Sequence, residues 1–187
     1  MEDRSTIESG REGKWGSVVV INLTRLTTEY DEREDRIRIV GETKDAESIV
    51  IWMTHRLVSG AVPLMLRWLD EKQPPSANAP SERREVLQSF NQDAAVAGLK
   101  PQKPVAPSAN ASKWLTQAMD VAATHSHLIL TFRGQEGQSA LVRLDATRLR
   151  QWLSILHLAW AKAQWSPLVW PDWIKPENTT QQQIVLH

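Results

Sequence analysis

Six prolines (Pro74, Pro75, Pro80, Pro101, Pro104 and Pro107) stand among Ala, Ser and Asn between residues 74 and 112, and neither a central strand nor a long helix runs through such a stretch. The chain is therefore divided. Two patterned stretches, 17–73 and 113–165, flank a Pro/Ala/Ser linker at 74–112, with a polar leader at 1–16 and a Trp/Pro-rich tail at 166–187. Inside the linker, Ser81 to Gly98 carries a capping serine, an apolar stripe of Val86, Leu87, Phe90, Ala94 and Ala97, and a glycine stop, which together predict a short helix over about 81–98.

In the first stretch, Val18 to Tyr30 is rich in β-branched residues and predicts a strand bent or bulged midway. Arg36-Ile-Arg-Ile-Val40 alternates as a half-buried strand, and Ser48 to Met53 is short and almost continuously apolar. Thr54 then caps a helix with Leu57, Ala61, Leu64, Met65 and Trp68 on one face, in which Gly60 and Pro63 predict a kink or a fresh start near Val62.

The second stretch returns to the same order. Trp114 to Ala123 fits a strand or a helix, and the parallel with the first stretch favours a strand. Leu128 to Arg133 and Ala140 to Leu144 are strands separated by a Gly134–Gly137 turn. Asp145 caps the best-formed helix of the chain, where Leu149, Trp152, Leu153, Leu156, Trp160 and Ala163 draw one stripe at spacings of three and four. Arg148, Arg150, Gln151, Ser154 and Lys162 fall mostly off it.

A gapless offset of 92 residues pairs Leu23 with Leu115, Ile37 with Ile129, Val50 with Val142, Leu57 with Leu149, Leu64 with Leu156 and Trp68 with Trp160. The fold class expected is α+β, built as two β-β-β-α units whose antiparallel sheets pack with two helices. One such unit cannot cover both faces of its own sheet. The linker is long enough to set the units side by side, and it also permits a domain-swapped homodimer.

Composition removes several function classes. Lys plus Arg equals Asp plus Glu at 22 each, which argues against a general polyanion binder, and the absence of cysteine excludes disulfides and thiolate chemistry. No run approaches the ~20 apolar residues of a membrane span, so the expectation is a soluble cytoplasmic protein that does not engage a membrane. Gly-rich phosphate loops, nucleophile elbows and Glu-flanked His pairs are absent, so neither an enzyme nor a cofactor is expected. His125-Ser-His127 sets two imidazoles on one side of the chain but lacks further ligands, and reads as a solvated turn.

Two surfaces remain as candidates. Nine Trp against one Tyr and two Phe is unusual, and Trp is an effective interface anchor, so Phe90, Trp165, Trp170 and Trp173 are expected to bind another protein or a second copy. The competing role for the tail indoles is cover for the chain's own core. The alternative surface is Arg25, Arg36, Arg38 and Trp52 on one sheet face, suited to phosphates and stacked bases of single-stranded nucleic acid. Repeated sheet-plus-helix units of this kind resemble, in architecture alone, the whirly-type single-strand binders. Glu29, Asp31, Glu32, Glu34 and Asp35 lie beside those arginines and offer them partners instead.

Overall fold

The computed structural model describes residues 20–72 and 81–175; the polar leader and the last twelve residues of the tail lie outside them. The fold is mixed α+β, with two four-stranded sheets and three helices. Strands β1 (Val20–Leu23), β2 (Arg25–Asp31), β3 (Arg36–Glu42) and β4 (Ser48–Met53) lead into helix α1 (His55–Glu71). Helix α2 (Ser81–Ala97) follows, then β5 (Ser112–Leu115), β6 (Ala118–Ala123), β7 (Leu128–Arg133), β8 (Ser139–Leu144) and α3 (Ala146–Lys162). Single 3-10 turns at Pro167–Val169 and Asp172–Ile174 close the described chain.

Of the segment expected to form one bent strand, 18–30, Val18 and Val19 lie outside the described residues, and the rest falls in two strands of different sheets. β2, β3 and β4 form an antiparallel meander that is extended by β5, parallel to β4; β6, β7 and β8 form another, extended by β1, parallel to β8. The expectation of purely antiparallel sheets is corrected accordingly. The changeover is abrupt. Thr24 donates its N–H to Glu42 O at 2.8 Å, and at the break between β5 and β6 Thr116 N donates to Trp52 O while Gln117 N, one residue on, donates to Arg133 O in the opposite sheet. These three main-chain N–H groups each keep a partner as the chain leaves one sheet for the other, while the buried Thr116 hydroxyl has none in the structure.

The corners are tight enough to require small residues. A Cβ on Gly41 would stand 2.7 Å from Leu23 Cδ1, and one on Gly134 2.7 Å from the Trp114 ring, so the buried residue of each crossing strand rests against a glycine. Segment 112–124, where strand and helix competed, is not helix but, in place of the single strand expected, two strands of different sheets, β5 and β6, broken at Thr116 and Gln117.

Matching places in the two sheets lie 91 residues apart, not 92. Ile37 pairs with Met53 where Leu128 pairs with Leu144, Leu23 sits beside Val142 where Trp114 sits beside Ile51, and the helix caps are Thr54 and Asp145. The identities found at 92 are therefore one residue out of step. In a strand that slip exchanges the core face for the outer face.

One core joins both sheets with α1, α3 and the tail. α3 lies against β2 and α1 against β6, so each helix covers a strand of the opposite meander. The α3 stripe of Leu149, Trp152, Leu153, Leu156 and Trp160 is buried as its spacing predicts, but Arg150 and Ser154 are buried as well. α1 is one continuous helix through Pro63, without the fresh start near Val62 that was one expectation, and its buried residues are Val58, Ala61, Val62, Met65, Trp68 and Leu69. Continuous burial on both sides of Pro63 outweighs the roughly 3 kcal/mol that an interior proline costs. Leu57 and Leu64, expected inside, stand at the margin instead.

Tail indoles pack on α3 and its surroundings. Trp170 is buried 5.7 Å from the Trp160 ring, and Trp165 contacts Trp160, Tyr30 and His55 at 5.1, 5.8 and 4.6 Å. His157 meets the Trp170 ring edge-on at 5.2 Å. Burial, aided by Lys175, holds its pKa below the ordinary imidazole value.

Two predictions follow from this packing. Gly41→Ala should cost about 1–3 kcal/mol in chemical denaturation, since Leu23 must move off its site; an unchanged midpoint would show the corner to be loose. For His157 the folded chain resists a proton that the unfolded chain accepts, so stability is full above the ordinary value of about 6.5 and declines as pH falls below it. The urea midpoint of the wild type should drop between pH 7.5 and 5, above the carboxylate range, and His157→Phe should flatten that drop; a drop of the same size in the variant would place the titration elsewhere.

Candidate interaction surface

Helix α2 is inside out. Gln88, Gln92 and Ala95 are its buried residues, whereas Val86 is 67% exposed, Phe90 70% and Leu87 39%. Counting at 100° per residue puts Val86, Leu87, Phe90, Ala94 and Ala97 in one outward stripe and the two glutamines on the far side. The helix expected over 81–98 is therefore present, with its apolar face turned to solvent. Surface helices ordinarily do the reverse.

The reason lies in Arg150. Arg150, in the second turn of α3, is only 5% exposed, and a buried cation needs acceptors. Arg150 Nη2 donates to Gln88 Oε1, and Nη1 donates to Gln88 O at 3.4 Å. Gln92 Nε2 donates to Arg150 O at 3.1 Å, Gln151 Nε2 donates to Ala95 O at 2.9 Å, and Gln88 Nε2 donates to Asp70 Oδ1. Trp173 closes the other side, its ring centre 5.3 Å from the guanidinium carbon. Burial pushes the Arg150 pKa down to about 10, against the pull of Asp70, which leaves it charged at neutral pH. α2 is thus latched by polar groups, and its latch dictates which face looks outward.

Of the four residues expected to bind a partner, the structure leaves Phe90 most exposed. Trp170 is in the core, and Trp165 and Trp173 are half-buried in contacts within the chain. Arg150, Gln88 and Gln92 were not singled out from the sequence. The only signal for them is a glutamine pair four apart opposite an apolar stripe, which reads equally well as a solvated face.

A second apolar surface lies on α1. A groove of about 580 Å³ runs between α1 and the β5–β6 corner, lined by Leu57, Gly60, Leu64, Leu115, Met119 and Val121 among others. Leu64 is half exposed at its edge, and Arg56 stands at its rim.

Arg25, Arg36, Arg38 and Trp52 do come together on the outer face of the β2-β3-β4 meander, with Arg38 opposite both Glu29 and Trp52. Each arginine has a carboxylate partner: Arg25 with Glu42 at 2.8 Å, Arg36 with Glu34 at 3.0 Å, and Arg38 with Glu29. Trp52 Nε1 donates to Asp31 Oδ2 at 3.5 Å. Part of the face is also covered. Val105 is buried against Val40 and Val50, its N–H donates to Thr27 Oγ1 at 2.8 Å, and Arg25 donates to Lys103 O at 3.1 Å.

His125 and His127 lie in an exposed turn, and no three His, Cys, Asp or Glu side chains gather as metal ligands among the described residues. No helix among the described residues is long and apolar enough to cross a membrane. Comparison with protein-family models, with curated proteins and with solved structures finds no match to the chain.

Arg150→Ala should lower stability by about 1.5–3 kcal/mol, the scale of hydrogen bonds to a charged group, and release α2. Tryptic cleavage after Arg83 and Arg84 should then accelerate relative to the wild type. Unchanged cleavage would mean that other contacts seat the helix.

Proposed function

We propose that the protein is a non-catalytic interaction module, an adaptor or assembly component, whose contact element is the outward stripe of α2. The observation that carries this reading is the inversion of that helix: glutamines inward, valine, leucine and phenylalanine outward. Leaving large apolar side chains in water forgoes roughly 1.5–3 kcal/mol each, which a partner that covers them recovers. Phe90 at the middle of the stripe suits the role of central anchor. A cysteine-free chain suits a cytoplasmic setting. Single-stranded nucleic acid draws less support, since the arginines proposed for it already face carboxylates.

We also read the two halves as copies of one β-β-β-β-α unit that exchange their first strands and their helices. Like connectivity in the two sheets and the constant spacing of 91 at matching places support this. On that reading α2 and the segment after it are the part without a counterpart, and the natural place for a function added to the scaffold.

The test uses wild type, Phe90→Glu and Leu168→Glu as baits in native extract. Leu168 is 91% exposed on the tail, so its substitution controls for a general change of surface. Proteins retained by wild type and by Leu168→Glu should be lost with Phe90→Glu, while thermal midpoints stay alike. Equal retention by all three would refute the stripe as the contact.

A further inference from the structure

We propose that the groove on α1 receives the α2 stripe of a second copy, so that the chain associates with itself head to tail. This rests on the reading of α2 as the contact element and names its partner. The groove exists because the two helices differ where they should match. At a spacing of 91, Gly60 and Ala61 stand where α3 has Gln151 and Trp152. Trp152 fills the junction of α3 with β2, where its Nε1 donates to Thr28 Oγ1 at 3.0 Å, whereas Ala61 leaves the junction of α1 with β6 open. A Cβ on Gly60 would meet nothing within 4 Å.

The outer sides of the helices differ in the same sense. α3 is covered by α2 at Arg150 and Gln151, and Ile155 is 5% exposed; its match on α1, Leu64, is 50% exposed. α1 has Ser59 and Gly60 where α3 has the latch residues Arg150 and Gln151, so the side of α1 at Gly60 and Leu64 is open and apolar where that of α3 is covered, and among the described residues α2 carries an unpartnered apolar stripe. That stripe cannot reach the groove of its own chain while Arg150 holds α2 on α3.

Size and charge favour the pairing. At about 580 Å³ the groove is within the ~300–1,000 Å³ of sites that engulf apolar groups, and its walls of Leu57, Leu64, Leu115, Met119 and Val121 suit Phe90 and Val86. Glu82 and Asp93, four residues before and seven after Val86, lie along one edge of the stripe and are opposite in charge to Arg56 of the groove, whereas Arg83 lies on the stripe face itself, so it is the Glu82 and Asp93 edge that would meet Arg56. Arg56, Glu82 and Asp93 are in no ion pair among the described residues. A contact between two different surfaces is heterologous: it adds copies until a ring closes, or it grows.

The test is complementation, read as mass by sedimentation over a range of concentration. Wild type should gain mass beyond a dimer, Phe90→Glu alone and Leu64→Glu alone should stay monomeric, and an equimolar mixture should form dimers and stop there. Each variant in that mixture retains one of the two surfaces. Gly60→Leu, which fills the groove instead of charging it, should behave as Leu64→Glu and guards against a folding defect in that variant. If Leu64→Glu and Gly60→Leu dimerise alone, stripe meets stripe and the groove assignment is overturned. A mixture that stays monomeric overturns it too. Wild type that is monomeric throughout does the same, but leaves the stripe to a different protein, a question that the Phe90→Glu bait decides separately.

Discussion

A guanidinium taken out of water has to be met by acceptors, and in this protein most of what is distinctive about the surface follows from how Arg150 is met. Gln88 supplies a side-chain and a main-chain oxygen, Gln92 and Gln151 tie the two helices back to back, and Trp173 stacks across the remaining side. A helix bound through its glutamines has no choice about where its valine and phenylalanine go. The polar latch and the apolar stripe are one arrangement seen from opposite sides of α2. Burying a charge is poor value as a source of stability, and the role that fits it is orientation.

The platform on which this happens depends on exchange. β1 completes the second meander and β5 the first, and each long helix lies on a strand of the other, so neither half has a covered sheet without its counterpart. The glycines at 41 and 134 make the exchange sterically feasible by admitting Leu23 and Trp114. Against this near-equivalence the departures become informative. On the proposed reading of two copies 91 residues apart, Ala61 stands where α3 has Trp152, Gly60 where it has Gln151 and Leu64 where it has Ile155, and all three leave room or apolar surface on α1.

How much of this was legible depended on the kind of signal. The stripe Leu149, Trp152, Leu153, Leu156, Trp160 was readable because a 3.6-residue period needs no knowledge of partners. The α2 helix and its five-residue stripe were readable for the same reason, though not the direction they face, since direction is set by Arg150 some sixty residues away. The break at Thr24 was hidden because Val20–Leu23 and Arg25–Asp31 are equally good strand formers, and nothing local says that they serve different sheets. The offset of 92 shows how identity misleads: matched Leu and Trp reflect what cores are made of, while the register pairs Ile37 with Met53 in one sheet and Leu128 with Leu144 in the other, places 91 residues apart. The tail tryptophans were legible as anchors, and the structure spends Trp170 on the chain's own core.

The orientation of α2 is the central claim, and adjacent alanines test it with little disturbance. The chain has no cysteine, so Ala94→Cys and Ala95→Cys each introduce a single thiol of nearly the original size, one on the exposed stripe and one buried against α3. In dilute protein, Cys at 94 should react with a thiol reagent at close to the rate of a free peptide, and Cys at 95 at least about tenfold more slowly, the protection expected of a site that must open to react. Equal rates, or faster reaction at 95, would contradict the inverted seating of the helix and with it the origin of the stripe.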